Sequence, residues 1–169
     1  VNNDLNKIIL GDKVVWINKN GNYHRLDGPA IEWLNGDEEW YQNGKLHRLD
    51  GPALKHQIAN NKYETRWYFC GKLHRIDGPS VEKGVKNNRW YQNGLLHRLD
   101  GPAVELSDGQ KEWWFNGFLH NVSGPAIKKS NGIIIYYINN IHYSSEEEWF
   151  NALSKEDQVN FLFKRHCND

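Results

Sequence analysis

The chain has 169 residues, with 21 lysines and arginines against 21 aspartates and glutamates, so no global field draws it toward nucleic acid or an anionic membrane. Two cysteines, Cys70 and Cys167, are too few for a disulfide framework, which makes a reducing, cytoplasmic compartment the expectation. The longest apolar run, Ile133 to Ile138, falls far short of a membrane span. No signal peptide is read at the start, and with methionine absent Val1 is expected to follow a removed start or a trimmed end. Low apolar content beside eight tryptophans and eight tyrosines predicts a thin β-structure, in which large aromatics cover what a deep core would bury.

Residues 1 to 10 read as a polar lead-in ending in Ile8-Ile9-Leu10, followed by a Gly11-Asp12 turn and a first strand over Lys13 to Asn18. A seven-residue phrase, His-Arg-Leu-Asp-Gly-Pro-Ala, then organises the chain. It stands at His24 to Ala30, His47 to Ala53 and His97 to Ala103, with a near copy at His74 to Ser80 and a degraded fifth at His120 to Ala126. The starting histidines are 23, 27, 23 and 23 residues apart, and a fixed period in this range marks a repeat architecture. Each phrase leads into a strand such as Ala30 to Leu34, a turn at Asn35-Gly36, a return strand Glu38 to Gln42 and a second turn at Asn43-Gly44. Asn-Gly between β-favouring runs is a hairpin signal, because a type I′ turn needs positive φ at both central residues.

Comparing the copies assigns each position a task. An aliphatic lies two residues after each proline, at Ile31, Leu54, Val81, Val104 and Ile127. An aromatic pair recurs in the return strand, as Trp40-Tyr41, Trp67-Tyr68, Trp90-Tyr91, Trp113-Trp114 and Tyr136-Tyr137. Neighbours in a strand point to opposite faces, so both faces are predicted to carry aromatics. One extra residue between Trp16 and His24 predicts a bulge or longer turn, and four more before Trp67 predict a longer hairpin tip over His56 to Tyr63. After Tyr143 the period stops. Ser145 to Glu148 fits a capping box before Trp149, Phe150 and Leu153, and a second helical segment from Ser154 carries Val159, Leu162 and Phe163 as its apolar residues, with Phe161 further round. The helix pair is expected to cap the last strand, since an open sheet edge invites aggregation.

The segment Trp40-Tyr41-Gln42-Asn43-Gly44-Lys45-Leu46-His47 resembles the MORN repeat, a β-hairpin unit of similar length, and the resemblance covers residues 13 to 143. Arg48-Leu49-Asp50-Gly51-Pro52 stands where that family has its glycines, so the family's membrane and lipid associations are not carried over. The phrase is more similar to His-Arg-x-Asp-Gly-Pro-Ala arrays in uncharacterised proteins of large phages, giant viruses and some low-GC bacteria. The resemblance implies a mainly β fold, an elongated, twisted antiparallel sheet of tandem hairpins, and with the helical signals after Tyr143 the chain divides into a repeat array over residues 1–143 and a helical cap over 144–169. The resemblance also implies an interaction platform.

The recurrent polar residues admit three readings. Catalysis needs a unique pocket, and near-identical copies argue against one, so no catalytic residue is expected. Equivalent histidines two strands apart would lie about 9–10 Å from each other, too far to share a metal ion, and no metal or other cofactor is expected. The third reading is architectural, a network of His24, Arg25, Asp27, His47, Arg48, Asp50, His74, Arg75, Asp77, His97, Arg98, Asp100 and His120. Arginine and aspartate vanish together in the fifth copy, at Asn121 and Ser123, as expected if they pair. The histidine survives there, so its task is separable, with one ring nitrogen expected to bond backbone.

The leading functional expectation is a non-catalytic protein that binds another protein through a sheet face. Tyr41, Tyr68, Tyr91 and Trp114 would form the contact row, with Arg66 and Arg89 interleaved. If the phage-like resemblance holds, the partner is a host factor in the host cytoplasm, such as a defence protein being inhibited. The alternatives are a module for an anionic small ligand such as a signalling nucleotide, and an antitoxin-like neutraliser. Glu39 and Glu112 stand where other repeats have Arg66 and Arg89, which disfavours nucleic acid. Oligomeric state is left open.

Overall fold

A computed structural model describes residues 5–84 and 86–166. Val1 and Cys167 lie outside the described residues. The protein is mainly β, 39% strand and 12% helix, an antiparallel sheet of many hairpins that does not close on itself, followed by two C-terminal helices. The chain falls into two compact units, residues 1–94 and 95–169.

In the first unit the sheet order is Asn6–Leu10, Lys13–Ile17, Ile31–Trp33, Glu38–Glu39, Leu54–Ala59, Lys62–Arg66, Val81–Lys83 and Asn88–Arg89. The opening strand corrects the polar lead-in. Asn6 to Leu10 pair residue for residue with Lys13 to Ile17, setting Ile8 opposite Val15. In the second unit the order is Val104–Glu105, Lys111–Glu112, Ile127–Lys128, Ile134–Ile138 and Ile141–Tyr143. Registers place Ile31, Glu39, Leu54, Arg66, Val81 and Arg89 opposite one another in succession, hence on one face. Burial is shallow: Val15, Ile31 and Val81 are buried along this line, beside Ala30, Ala53 and Ser80.

The return strand is not continuous. It breaks at Trp40, Trp67 and Trp113, and the residues beyond form small hairpins, Tyr41–Gln42 with Lys45–Leu46, Tyr68–Phe69 with Lys72–Leu73, and Trp114–Phe115 with Phe118–Leu119. The tryptophan is the node between the two ladders. Trp40 N–H donates to Ala53 of the next phrase at 2.7 Å, while its carbonyl accepts from His47 N–H at 3.0 Å, and Trp67 and Trp113 repeat both bonds. A fully exchanged β-pair is therefore lost there without stranding backbone groups.

The two turns of each repeat differ. Asn43-Gly44, Cys70-Gly71, Asn93-Gly94 and Asn116-Gly117 have positive φ at both positions, as type I′ turns require. At Asn35-Gly36 only Gly36 does, with its N–H bonded to Trp33 O at 3.0 Å: a type I turn closed by a left-handed glycine. The hairpin Leu54–Ala59/Lys62–Arg66 carries the four-residue insertion and a register shift between Gln57 and Ala59. Asn18 closes the longer first turn by accepting from the N–H groups of Asn20 and Asn22.

Helix α1, Glu146–Ala152, is capped by Ser145, whose hydroxyl accepts from Glu148 N–H at 3.1 Å. The Glu148 carboxylate reaches back one residue further than a capping box, to Ser144 N–H and Oγ. Helix α2, Lys155–His166, starts on a reciprocal Ser154–Asp157 pair. Its buried side is not the one that the apolar residues of its sequence mark. Val159, Leu162 and Phe163 are exposed, and the residue turned inward is Phe161, edge-on to Trp149 at 5.1 Å and against Phe150 at 5.8 Å. The fully buried Trp149 fixes which side of α2 finds a partner.

Candidate functional site

The phrase builds a compact polar cross-brace. In the first three copies the guanidinium lies over the ring of the tryptophan that precedes it, Arg25 over Trp16 at 4.1 Å, Arg48 over Trp40 at 3.9 Å and Arg75 over Trp67 at 4.1 Å. Nε donates to the aspartate two residues on, at 2.8–3.0 Å in all four intact copies, Asp27, Asp50, Asp77 and Asp100. One terminal nitrogen reaches the proline carbonyl of the same phrase, at 3.2–3.4 Å. In three copies it also meets a glutamate seven residues on, Glu32, Glu82 or Glu105. The second repeat has Lys55 there instead.

This explains the glycine. Gly28, Gly51, Gly78 and Gly101 need no left-handed backbone, but a Cβ on them would sit 2.5 to 3.0 Å from the guanidinium carbon of Arg25, Arg48, Arg75 or Arg98. The glycine is there for space. The Arg48, Arg75 and Arg98 guanidinium bonds hold the Asp50, Asp77 and Asp100 carboxyls below the ordinary carboxylate range.

The histidine works between repeats. Nδ1 of His24, His47, His74, His97 and His120 accepts from the backbone N–H of the turn residue one repeat later, Asn43, Cys70, Asn93, Asn116 and Asn139, at 3.0–3.3 Å. That residue has positive φ in every case, so the ring satisfies a donor that a type I′ turn turns outward.

The fifth phrase is rebuilt. Asn121 keeps the proline contact, Nδ2 to Pro125 O at 2.9 Å, and accepts from Ser123 N–H, while Gly124 adopts φ +147°. The two helices cover it. Trp149 packs on Tyr136 at 5.2 Å and donates its indole N–H to Asn121 O at 3.0 Å, and Lys164 bonds Ser123 Oγ at 3.2 Å. Val122, Ile138 and Tyr143 pack against the resulting Tyr136–Trp149–Leu153 core. Burial, then the Glu146 charge, pushes the Tyr136 phenol up.

The intact phrases have no such cover. Leu26, Leu49 and Ile76 in the first unit are 55%, 75% and 82% exposed, and Leu99 in the second is 80% exposed. Between the second and third phrases lies a cleft of about 450 Å³, with Leu49, Phe69 and Ile76 on its apolar side and Asp50 and Asp77 at its rim.

Tyr41, Tyr68, Tyr91 and Trp114 are half-buried. The Tyr41 hydroxyl donates to Glu39 at 2.9 Å, and burial followed by that bond pushes its pKa up. The Trp114 indole donates to Glu112 at 2.9 Å. Arg66 is paired with Glu64, which also meets Lys83 at 3.3 Å. Burial opposes ionisation of Glu64, but Arg66 and Lys83 outweigh it and hold the pKa low. Arg89 is half-buried on the same sheet face. Among the described residues no three His, Cys, Asp or Glu side chains converge where a metal ion would sit, and no helix is long and apolar enough to cross a membrane. The exposed leucine of the phrase is not among the binding residues that the sequence points to; its signal is an aliphatic held inside an otherwise polar phrase. Comparison with protein-family models, curated proteins and solved structures returned no match.

Proposed function

We propose that the protein is a non-catalytic, MORN-like repeat module that binds another protein, and that the contact surface is the phrase side of the repeats in the first unit. One observation carries this: an aliphatic side chain stands exposed in each intact phrase, Leu26, Leu49, Ile76 and Leu99, while its counterpart Val122 is packed under helices. Repeated exposed apolar side chains beside a ready cleft are what a protein interface core requires. The half-buried tyrosines, with Tyr41 committed to Glu39, are the weaker candidate for a contact row. An anionic ligand finds little purchase at the phrase, because Arg25 and Arg75 each hold two carboxylates and lie against an indole.

The likeness to phage arrays makes a host defence protein the first partner class to test. The experiment is affinity capture with the wild type, with Leu49→Lys/Ile76→Lys, and with Tyr68→Ala/Tyr91→Ala, read by mass spectrometry. A stoichiometric partner lost only with the Leu49/Ile76 variant supports the reading. Loss only with the tyrosine variant moves the surface to the other face, and capture of nothing by the wild type sinks the proposal.

A further inference from the structure

The fifth repeat carries an occupied version of the surface that the second and third leave open. Val122 corresponds to Leu49, Tyr136 to Trp67, Ile138 to Phe69 and Tyr143 to His74. The first set packs under α1 and α2; Leu49 and Phe69 of the second line the open cleft, 75% and 45% exposed. Resting on the protein-binding reading above, we propose that this cleft receives a partner helix presenting a tryptophan and, three or four residues away, a lysine or arginine.

The tryptophan and the cation come from the cap, and their spacing from the distance between the two positions they contact. Trp149 supplies a large apolar face and an indole donor to the carbonyl of Asn121, whose counterpart is Arg48. Lys164 reaches Ser123, whose counterpart is Asp50. The Asp50 side chain is 81% exposed, and a carboxylate is a stronger acceptor for an ammonium than a serine hydroxyl. The two contacted positions are two residues apart, at most about 7 Å of chain, and one helix spans about 6 Å between residues i and i+4. The floor differs: Ser144 stands where Arg75 does, so Trp149 rests directly on Tyr136, whereas Arg75 already covers Trp67. The incoming ring therefore sits higher, on Leu49, Phe69 and Ile76. In the cap two helices share the work; in the cleft one is sufficient because Asp50 and Asp77 both line the rim.

The test is selection from a displayed library of randomised helical peptides on the full chain, with counter-selection on Leu49→Lys/Ile76→Lys, whose altered side chains are exposed. The expected binders carry tryptophan with a basic residue at i±3 or i±4. They lose at least tenfold in affinity on Trp→Ala, and again with Asp50→Asn. Binders that need Leu49 and Ile76 but lack this pattern overturn the helix chemistry while leaving a protein-binding cleft intact. An absence of binders, or binders indifferent to the cleft variant, overturns both the chemistry and the site.

Discussion

The first four phrases and the fifth solve the same problem in different ways. In an intact phrase a charged side chain bridges indole, aspartate and proline carbonyl, and the leucine is left to solvent. In the fifth, a short amide keeps only the proline contact, and the aromatic packing comes from helix α1, beyond the last strand. Charged side chains can brace a thin sheet without covering it, since each surface ion pair is worth about 0–1 kcal/mol and the stack on tryptophan about 0.5–2 kcal/mol. Covering it with Trp149 adds the burial of a whole indole. Bracing preserves an open surface, and covering ends it.

That contrast is breakable. Trp149→Ala should cost about 3–5 kcal/mol in chemical denaturation, because it empties a fully buried site and leaves the Asn121 carbonyl without its donor. Amide exchange should rise over residues 120–166, and an unchanged profile would mean the helices do not stabilise the fifth phrase. Next in size, Gly51→Ala should cost about 1–3 kcal/mol by pushing Arg48 off Trp40, and most of that cost should vanish in an Arg48→Ala background. At Gly124 the strain is in the backbone, φ +147°, so Gly124→Ala should cost the same with or without Asn121. A Gly51 cost indifferent to Arg48 would contradict the account of the glycine.

Smaller effects follow. His47→Phe keeps a ring beside Phe69 but removes the acceptor for Cys70 N–H, costing about 1 kcal/mol and speeding exchange at that amide. The least is acid sensitivity. Asp50, Asp77 and Asp100 have pKa values lowered by arginine, so their contribution is fully present above the ordinary carboxylate range and is lost as pH falls through the lowered values, below about pH 4. Replacing Asp50 by asparagine should flatten that acid limb, whereas Ser123 in the fifth phrase has nothing there to titrate.

How much of this could be read from the chain depended on how local the cause was. The type I′ turns and the Ser145 cap were legible because each is set within four residues, and the period because the phrase recurs nearly verbatim. The bond from His47 to Cys70 was legible only as one to backbone, since the donor belongs to another repeat. The phrase glycine was not legible: its reason is a guanidinium folded back by three residues, and no φ marks it. Helical period alone pointed to Val159, Leu162 and Phe163, but a helix buries what it meets, and α2 meets Trp149 through Phe161. The break at Trp40 was hidden because an alternating run reads as one strand whether or not its hydrogen bonds change partners midway.

The histidine staple bears on how such an array could lengthen. Every cassette carries an acceptor at its phrase and a donor at its turn, and the bond always runs from one cassette's turn to the preceding cassette's ring. Duplicating one cassette in tandem would thus create a matched joint with no new interface to evolve. The four-residue insertion shows the tolerance of the scheme: it lengthens a hairpin tip, and the His47–Cys70 joint still closes.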